Sequence, residues 1–491
     1  MHLTKSRVVA GLQCPKRLWL SVRARDLAAP PPPAQQAIFD EGTRVGEAAH
    51  ALFPGGVRVD DPPWAHEEAV RRTEALMRDP AVPAIFEAAF EWRNVRVRAD
   101  VLERLGAGRW GLREVKASTR VKEVHIDDVA LQHWVLEGTG LSVPSVELLY
   151  VNRSYRREEG AIDWPRFFVR EDLSVQSAER WAELGARVDE LARALACDEA
   201  PGIPPGRHCH EPYGCEFWEH CTRSKPRDWI FHLPRISSAD LEALQACGIE
   251  RIGEIPDAYP LSSLQARVRE VHRTGRPHFS PELARVLEEF GPPACYLDFE
   301  TMNPAIPLYP GTYPYEVIPF QWSIHERQSD GRLVHRQFLA DGRSDPRREC
   351  AERLLDALSG APGPILVYTS YESQRLRQLA EALPDLAPAL EALVGRLRDL
   401  FAVVRGHVYH PGFRGSFSLK DVSPVLAPCV TYADLEEISD GGAASAAMVS
   451  LARGEVSPEA EAPLRRALLA YCERDTLALV ELHRALERAA A

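Results

Sequence analysis

The sequence lacks the marks of a membrane-spanning or secreted protein. Its 491 residues contain no apolar run of the roughly 18–20 residues needed to cross a bilayer. The N-terminal segment MHLTKSRVVAGLQC has neither the apolar core nor the cleavage site of a signal peptide. We therefore expect a cytoplasmic protein with no membrane partner.

An excess of positive charge is also missing, because the formal net charge is −12. This argues against a polybasic protein that coats nucleic acid, but an acidic metal site and a local basic groove can coexist in one nuclease. Hydrophobic residues make up 45% of the chain and charged residues 26%, which is typical of a globular protein. The length exceeds one typical core, so two or three domains are expected.

The pattern of helices and strands predicts two α/β domains joined by a helical connector. A helix is predicted over 1–28 with Cys14 near its middle, and the alternating segments NVRVRADVLERL and GLREVKAS predict a β-hairpin. Within the connector, ISSADLEALQACGIERIGEIPDA indicates either a helix–hairpin–helix module or a plain helical linker. The strand ACYLDFET opens the last domain. The predicted boundaries are 1–225, 226–290 and 291–491.

Four of the ten cysteines form a pattern of one early and three late thiols. They are Cys14 in LQCPKRLWL and Cys209, Cys215 and Cys221 in CHEPYGCEFWEHC. In a reducing cytosol, clustered cysteines bind metal more often than they form disulfides. Four thiolates suit zinc and an iron–sulfur cluster equally well, and buried structural cysteines are the alternative.

A first group of charged residues lies on the predicted hairpin. Asp100 is placed at the start of one strand, and Glu114 and Lys116, two residues apart on the next strand, share a face. Two carboxylates could hold Mg²⁺ or Mn²⁺, and a lysine could orient the attacking water in phosphodiester hydrolysis. The alternative is an exposed hairpin, on which charged residues often alternate.

Taken with the cysteines, residues 1–225 resemble the RecB-like branch of the PD-(D/E)XK nucleases. The iron–sulfur members of that branch, such as AddB-type subunits and CRISPR-associated RecB-like exonucleases, share the pattern. The resemblance implies a restriction-endonuclease-like core in which the four cysteines bind a [4Fe–4S] cluster. It further implies roles in metal binding or catalysis for Asp100, Glu114, Lys116, Gln132 and His50, with Glu47 as an alternative to His50.

A second group of acidic residues lies in the last domain. Asp298 and Glu300 share one face of an apolar strand, a costly arrangement unless the carboxylates bind cations. Glu372 follows the strand PILVYT, and Tyr471 and Asp475 lie one turn apart on a C-terminal helix. This set resembles the DEDD exonucleases of the ribonuclease H-like fold, with Glu372 where that family usually has an aspartate. The resemblance implies two bound metals held by four acids and a tyrosine that positions water.

Three further features carry weaker expectations. Asp421 and His325 are secondary candidates for which a solvated or structural role is expected. The loop IPLYPGTYPYEVIPF could cover the site, stack bases on its tyrosines, or be a rigid structural loop.

The sequence as a whole resembles a bacterial family of fused nucleases. We expect a metal-dependent nuclease with two sites that acts on DNA ends or single strands. An RNA 3′→5′ exonuclease is one alternative. A non-catalytic nucleic-acid-binding scaffold for a helicase or repair partner is another.

Overall fold

The computed structural model describes residues 2–106, 108–432, 434–435 and 438–491. The chain forms two compact units. Unit 1 comprises residues 1–223 with 304–315, and unit 2 comprises 224–303 with 316–491. The segment 226–290 thus lies within unit 2, and the predicted boundaries at 225 and 290 stay predictions. No helix in the described part of the chain is long and apolar enough to cross a membrane.

Unit 1 is built on a mixed seven-stranded sheet. Its strands are β1 (Leu3–Thr4), β2 (Val57–Arg58), β3 (Ala84–Trp92), β4 (Val95–Gly106), β5 (Arg109–Lys116), β6 (Ser142–Val151) and β7 (Phe168–Asp172). The order is β2-β3-β4-β5-β6-β7, and β1 pairs in parallel with the start of β4. Strands β4 and β5 form the predicted antiparallel hairpin, whereas β5 and β6 are parallel.

Nine helices accompany this sheet in the described part of unit 1. They are α1 (Lys5–Gln13), α2 (Pro15–Arg23), α3 (Pro33–Ala49), α4 (His66–Arg78), α5 (Glu123–Gly138), α6 (Trp164–Phe167), α7 (Ser174–Glu179), α8 (Trp181–Ala196) and α9 (Trp218–Thr222). Helix α5 is buried along most of its length and packs into the main core with α4 and α8. Helix α3 contributes to a second core cluster.

The predicted single helix over 1–28 is wrong, because Cys14 is extended and separates α1 from α2. The cause lies in the sequence, since Pro15 disfavours helical geometry at the residue before it. Proline then occupies the first position of α2, where its missing N–H costs nothing. The break leaves the thiol of Cys14 at the junction of two helices.

Unit 2 contains a five-stranded sheet and a short two-stranded one. The strands are β8 (His278–Phe279), β9 (Ala294–Met302), β10 (Ile318–Arg327), β11 (Leu333–Leu339), β12 (Ile365–Val367), β13 (Leu397–Asp399) and β14 (Val408–Tyr409). The larger sheet has the order β11-β10-β9-β12-β13. Strand β9 is central, antiparallel to β10 and parallel to β12. β8 pairs with β14.

Ten helices complete unit 2 in its described residues. They are α10 (Ser238–Ala246), α11 (Ser263–Thr274), α12 (Leu283–Leu287), α13 (Arg347–Leu358), α14 (Tyr371–Ala382), α15 (Ala387–Arg396), α16 (Leu400–His407), α17 (Leu419–Leu426), α18 (Gly441–Ala452) and α19 (Pro458–Ala490). In the segment expected to form a helix pair, α10 is followed by a single 3-10 turn at Ile252–Glu254. Both units are therefore mixed α/β structures, as the sequence predicts.

The Pro- and Tyr-rich segment 304–315 packs within unit 1, although it follows β9 in the chain. Glu41 accepts a hydrogen bond from the backbone N–H of Ala305 (2.9 Å), and the Tyr315 hydroxyl donates to the carbonyl of Ala117 (2.6 Å). Tyr309 is buried, and the Arg156 guanidinium lies over the ring of Tyr313. These contacts favour a structural role for the segment.

Candidate metal centres

The four predicted ligand cysteines lie near one another in unit 1. The thiol of Cys209 is close enough to those of Cys14 and Cys221 to interact with them electrostatically, and the thiol of Cys215 interacts in the same way with that of Cys209. Cys14 and Cys209 are buried, and Cys215 and Cys221 are half-buried. Burial raises the pKa of Cys215 to about 11, so this thiol requires a metal or another cation to become a thiolate near neutral pH.

Residues beside Cys14 hold the late cysteine segment in place. The Gln13 amide donates to the backbone carbonyls of His208 (2.8 Å) and Tyr213 (2.7 Å). Arg17 forms an ion pair with Glu216 (2.7 Å). These side-chain contacts join the segment around Cys14 to the segment 208–216, without involving the thiols themselves.

Four thiolates are the ligand set of a structural zinc site and of an iron–sulfur cluster alike.

Glu114 is the centre of the second site in unit 1, and its side chain is 1% exposed. Its Oε1 accepts hydrogen bonds from the ammonium groups of Lys116 (2.6 Å) and Lys5 (2.9 Å). Its Oε2 accepts from the Gln132 amide (2.7 Å). The structure thus brings together three of the predicted residues from β5 and α5.

Asp100 completes this group from the neighbouring strand. The residue lies in the middle of β4 rather than at its start, and its Oδ2 accepts a hydrogen bond from the backbone N–H of Val115 (2.8 Å). Burial raises the pKa of Asp100, against the opposing effect of Lys5 and Lys116. Burial and Asp100 would also raise the pKa of Glu114, but the two lysines outweigh them and lower it.

Two members of this group, Lys5 and Asp128, were missed in the sequence. Asp128 accepts a hydrogen bond from the Lys116 ammonium and lies 3.5 Å from that of Lys5. Burial opposes the charged form of Lys116, but the carboxylates around it raise its pKa well above the usual value. The spacing of Asp128 four residues before Gln132 on α5 could have indicated it, whereas nothing in the sequence singles out Lys5.

His50 follows the last residue of α3. Its ring stacks on Phe86 with the centroids 3.9 Å apart. Burial, followed by the charge of Arg58, lowers the pKa of His50, and Glu47 opposes this shift. Glu47 itself lies 3.5 Å from Arg58. A metal-binding role for His50 stays a prediction.

Unit 2 gathers the second predicted set of acids around the central strand β9. Asp298 and Glu300 lie on β9, Glu372 is in the first turn of α14 after β12, and Asp475 lies on α19. Glu300, Glu372 and Asp475 are buried. In open α/β sheets, ligands bind where the carboxyl ends of parallel strands meet, and β9 and β12 end at this edge.

All four carboxyl groups have raised pKa values. Burial is the largest cause for each, and Asp475 adds to the shift of Asp298. The pKa of Glu300 is raised by burial and then by Asp298, while Lys420 opposes this. One oxygen of Glu372, Oε2, is buried without a hydrogen-bond partner. The arrangement is unfavourable for carboxylates by themselves and would be relieved by divalent cations.

Tyrosine and lysine side chains surround Asp475. The Tyr432 hydroxyl donates a hydrogen bond to Asp475 Oδ1 (2.6 Å), and the predicted Tyr471 also hydrogen-bonds to Asp475. The Lys420 ammonium lies 4.9 Å from the ring centroid of Tyr471. Tyr432 and Lys420 were missed in the sequence, because they come from loop and helix segments without a recognisable motif.

Cys472 is a further residue that the sequence did not indicate. Its Sγ lies 3.7 Å from Oδ2 of Asp298, and ligand atoms of Asp298, Glu300 and Cys472 all fall within 4.8 Å of one another. The secondary candidate Asp421 is instead exposed in the first turn of α17, where its Oδ2 accepts a hydrogen bond from the Ser418 hydroxyl. This hydrogen bond stabilises the N-terminus of α17.

Comparison with known proteins gives one family match. Residues 295–418 are similar to a family described as a domain of unknown function, DUF2779. The matched region begins at β9 and includes Asp298, Glu300 and Glu372, but it ends before Asp475. No curated protein sequence matches the chain.

Proposed function

We propose that the protein is a metal-dependent nuclease that hydrolyses phosphodiester bonds of DNA, with one site in each unit. The observation that carries the proposal is the cluster of Asp298, Glu300, Glu372 and Asp475, four largely buried carboxyl groups whose pKa values are all raised. Two divalent cations would offset this repulsion. They would also supply the Lewis-acid chemistry that a two-metal phosphodiester hydrolase uses.

The surrounding residues of unit 2 support this assignment. Tyr432 and Tyr471 hold Asp475 by hydrogen bonds and so fix the direction of its free lone pairs. The ammonium of Lys420 brings one positive charge towards the acids, which suits an anionic phosphate. Mg²⁺ or Mn²⁺ fits the all-oxygen donor set of the four acids best.

The group in unit 1 supports a second site of the same reaction class. The group contains three carboxylates, those of Asp100, Glu114 and Asp128, and two ammonium groups, those of Lys5 and Lys116. The excess of negative charge would attract a divalent cation. The Gln132 amide donates to Glu114 (2.7 Å) and so orients this carboxylate. Lys116 would hold or move a proton near the attacking water.

We further propose that Cys14, Cys209, Cys215 and Cys221 hold a [4Fe–4S] cluster, with zinc as the alternative. The hydrogen bonds of Gln13 and the ion pair of Arg17 with Glu216 support a role in joining the ends of unit 1. Such a cluster would contribute to folding, since metal binding by thiolates is coupled to structure.

The decisive experiment measures cleavage by the anaerobically purified full chain. Single-stranded DNA labelled at the 5′ or the 3′ end, and RNA of the same sequence, would be incubated with Mn²⁺, Mg²⁺ or a chelator. We expect metal-dependent shortening of DNA. Preferential shortening of RNA would instead establish the ribonuclease alternative.

Matched variants assign the activity to the two sites. Asp298→Asn removes a ligand in unit 2, Glu114→Gln removes one in unit 1, and Glu391→Gln changes an exposed acid on α15 as a control. Each site variant should lose part of the cleavage, and the double variant should lose all of it while still binding DNA in a fluorescence anisotropy assay. Binding without metal-dependent cleavage by the unaltered chain would establish the scaffold alternative.

A further inference from the structure

Two histidines face each other on the edge of the larger sheet in unit 2. His325 on β10 and His335 on β11 are directly opposite in the antiparallel pairing, so their side chains share a face. Their rings stack with the centroids 4.5 Å apart and an angle of 27° between the planes. Glu473 of α19 approaches from the helix that covers this face, 3.7 Å from Nδ1 of His335.

Hydroxyl groups hold one nitrogen of each ring. The Thr476 hydroxyl lies 2.8 Å from Nδ1 of His325 and 2.8 Å from the Ser323 hydroxyl. The Ser323 hydroxyl in turn lies 2.9 Å from Nε2 of His335. These hydrogen bonds engage Nδ1 of His325 and Nε2 of His335, so the other nitrogen of each ring is the one that could bind a ligand.

The remaining nitrogen of His335 faces a carboxylate. Nδ1 of His335 and Oε1 of Glu473 are 3.7 Å apart, too far for a hydrogen bond. A cation bound between these two atoms would be held by both.

We propose that His325, His335 and Glu473 form a binding site for a divalent transition-metal ion of the zinc type, separate from the carboxylate cluster. One ligand atom from each residue lies within 4.8 Å of the other two, so a small inward movement of the side chains would bring them to the separation of about 3.3 Å found around tetrahedral zinc. Two imidazoles and one carboxylate are a ligand set typical of zinc, and hydrogen bonds from the second ring nitrogens orient such ligands. Magnesium and calcium prefer oxygen ligands, so they would not compete well.

The site would link α19 to the outer strands of the sheet. Glu473 and Thr476 flank Asp475 on α19, and Ser323 pairs with Asp298 across β9 and β10. Bound metal would therefore restrain the helix that delivers Asp475 to the carboxylate cluster. This inference does not depend on the proposed nuclease activity.

The test is a titration of the full chain with Zn²⁺ against a chromophoric chelator. Excess Mg²⁺ would occupy the carboxylate cluster, and the cysteine site is the same in every variant. We expect His335→Gln and Glu473→Gln to bind one equivalent of zinc fewer than the unaltered chain, and Ser323→Ala to bind that equivalent about 10–100-fold more weakly. Glu459→Gln, an exposed change on the same helix, should bind the full number.

The half-exposed position of Glu473 (47% of its side chain) makes Glu473→Gln the variant least prone to misfold, and thermal unfolding would check that it is intact. Co²⁺ provides a second readout, because nitrogen and oxygen ligands give d–d bands without the thiolate charge-transfer band of the cysteine site. Loss of one set of d–d bands in a folded Glu473→Gln would support the site. Equal zinc binding by the unaltered chain, His335→Gln and Glu473→Gln would overturn the proposal.

Discussion

Replacing Asp298 by asparagine should stabilise unit 2 without metal and destabilise it with metal. Ligand oxygens of Asp298 and Glu300 lie within 4.8 Å of each other. Two full charges at that distance repel by about 3.5 kcal/mol at an effective dielectric constant of about 20. Proton uptake relieves part of this repulsion, because both pKa values are raised. We therefore expect Asp298→Asn to raise the free energy of unfolding of unit 2 by about 2 kcal/mol at pH 8 in a chelator, where the repulsion is largest.

The expected gain corresponds to a rise of about 4–8 °C in the melting temperature of a unit of this size. Differential scanning calorimetry of the full chain in a chelator would measure it, with Glu391→Gln as the control for a surface acid. In Mn²⁺ the order should reverse. A ligand at about 100 times its Kd stabilises the unaltered unit by about 2.7 kcal/mol, and the variant lacks one of the groups that hold it.

The sign change between the two conditions is the critical result. An ordinary loss of packing would lower the melting temperature of Asp298→Asn in both conditions. A variant that is less stable than the unaltered chain in the chelator at pH 8 would refute the inference that the carboxylates repel one another. If Mn²⁺ raises the melting temperature of the variant as much as that of the unaltered chain, the role of Asp298 as a ligand is refuted.

Three other predictions concern pH, the cysteines and unit 1. The acids of unit 2 bind more protons in the folded state than in the unfolded state, because folding raises their pKa values above the unfolded values near 4. The free energy of unfolding without metal should therefore fall as the pH rises from about 4. Mn²⁺ should weaken this pH dependence. Urea unfolding at a series of pH values would show a rising curve if the reasoning is wrong. Cys221→Ser should lose iron, sulfide and the absorbance near 400 nm of a thiolate-bound cluster, whereas Cys197→Ser, at an exposed cysteine outside the set, should retain them. Gln132→Ala removes a hydrogen bond to a charged carboxylate, worth about 1.5–3 kcal/mol, so cleavage by unit 1 in an Asp298→Asn background should fall about 10–100-fold; unchanged cleavage would show that Gln132 does not position Glu114.

Local sequence patterns determined many of the elements. Alternation of residue types over 95–116 predicted the hairpin β4–β5, because successive side chains of a strand point to opposite faces; β4 has the expected half-buried pattern, whereas β5 is buried on both faces. The Asp-x-Glu of β9 marked two acids on one face of a buried strand, and the four-residue spacing of Tyr471 and Asp475 marked one face of α19. These relations depend only on the geometry of a single strand or helix. The break at Cys14 was also encoded locally, by Pro15, although the prediction of one long helix overlooked it.

Contacts between distant segments were decided by the tertiary structure alone. Lys5 reaches Glu114 across more than a hundred residues, and Tyr432 reaches Asp475 from a loop, because packing rather than spacing brings them together. The pairing of His325 with His335 depends on the register of β10 and β11, which a shift of one residue would abolish. The sequence by itself therefore determined which residue types were available and which faces they shared. Only the tertiary structure decided which charges were buried side by side, since burial and proximity are properties of the folded chain.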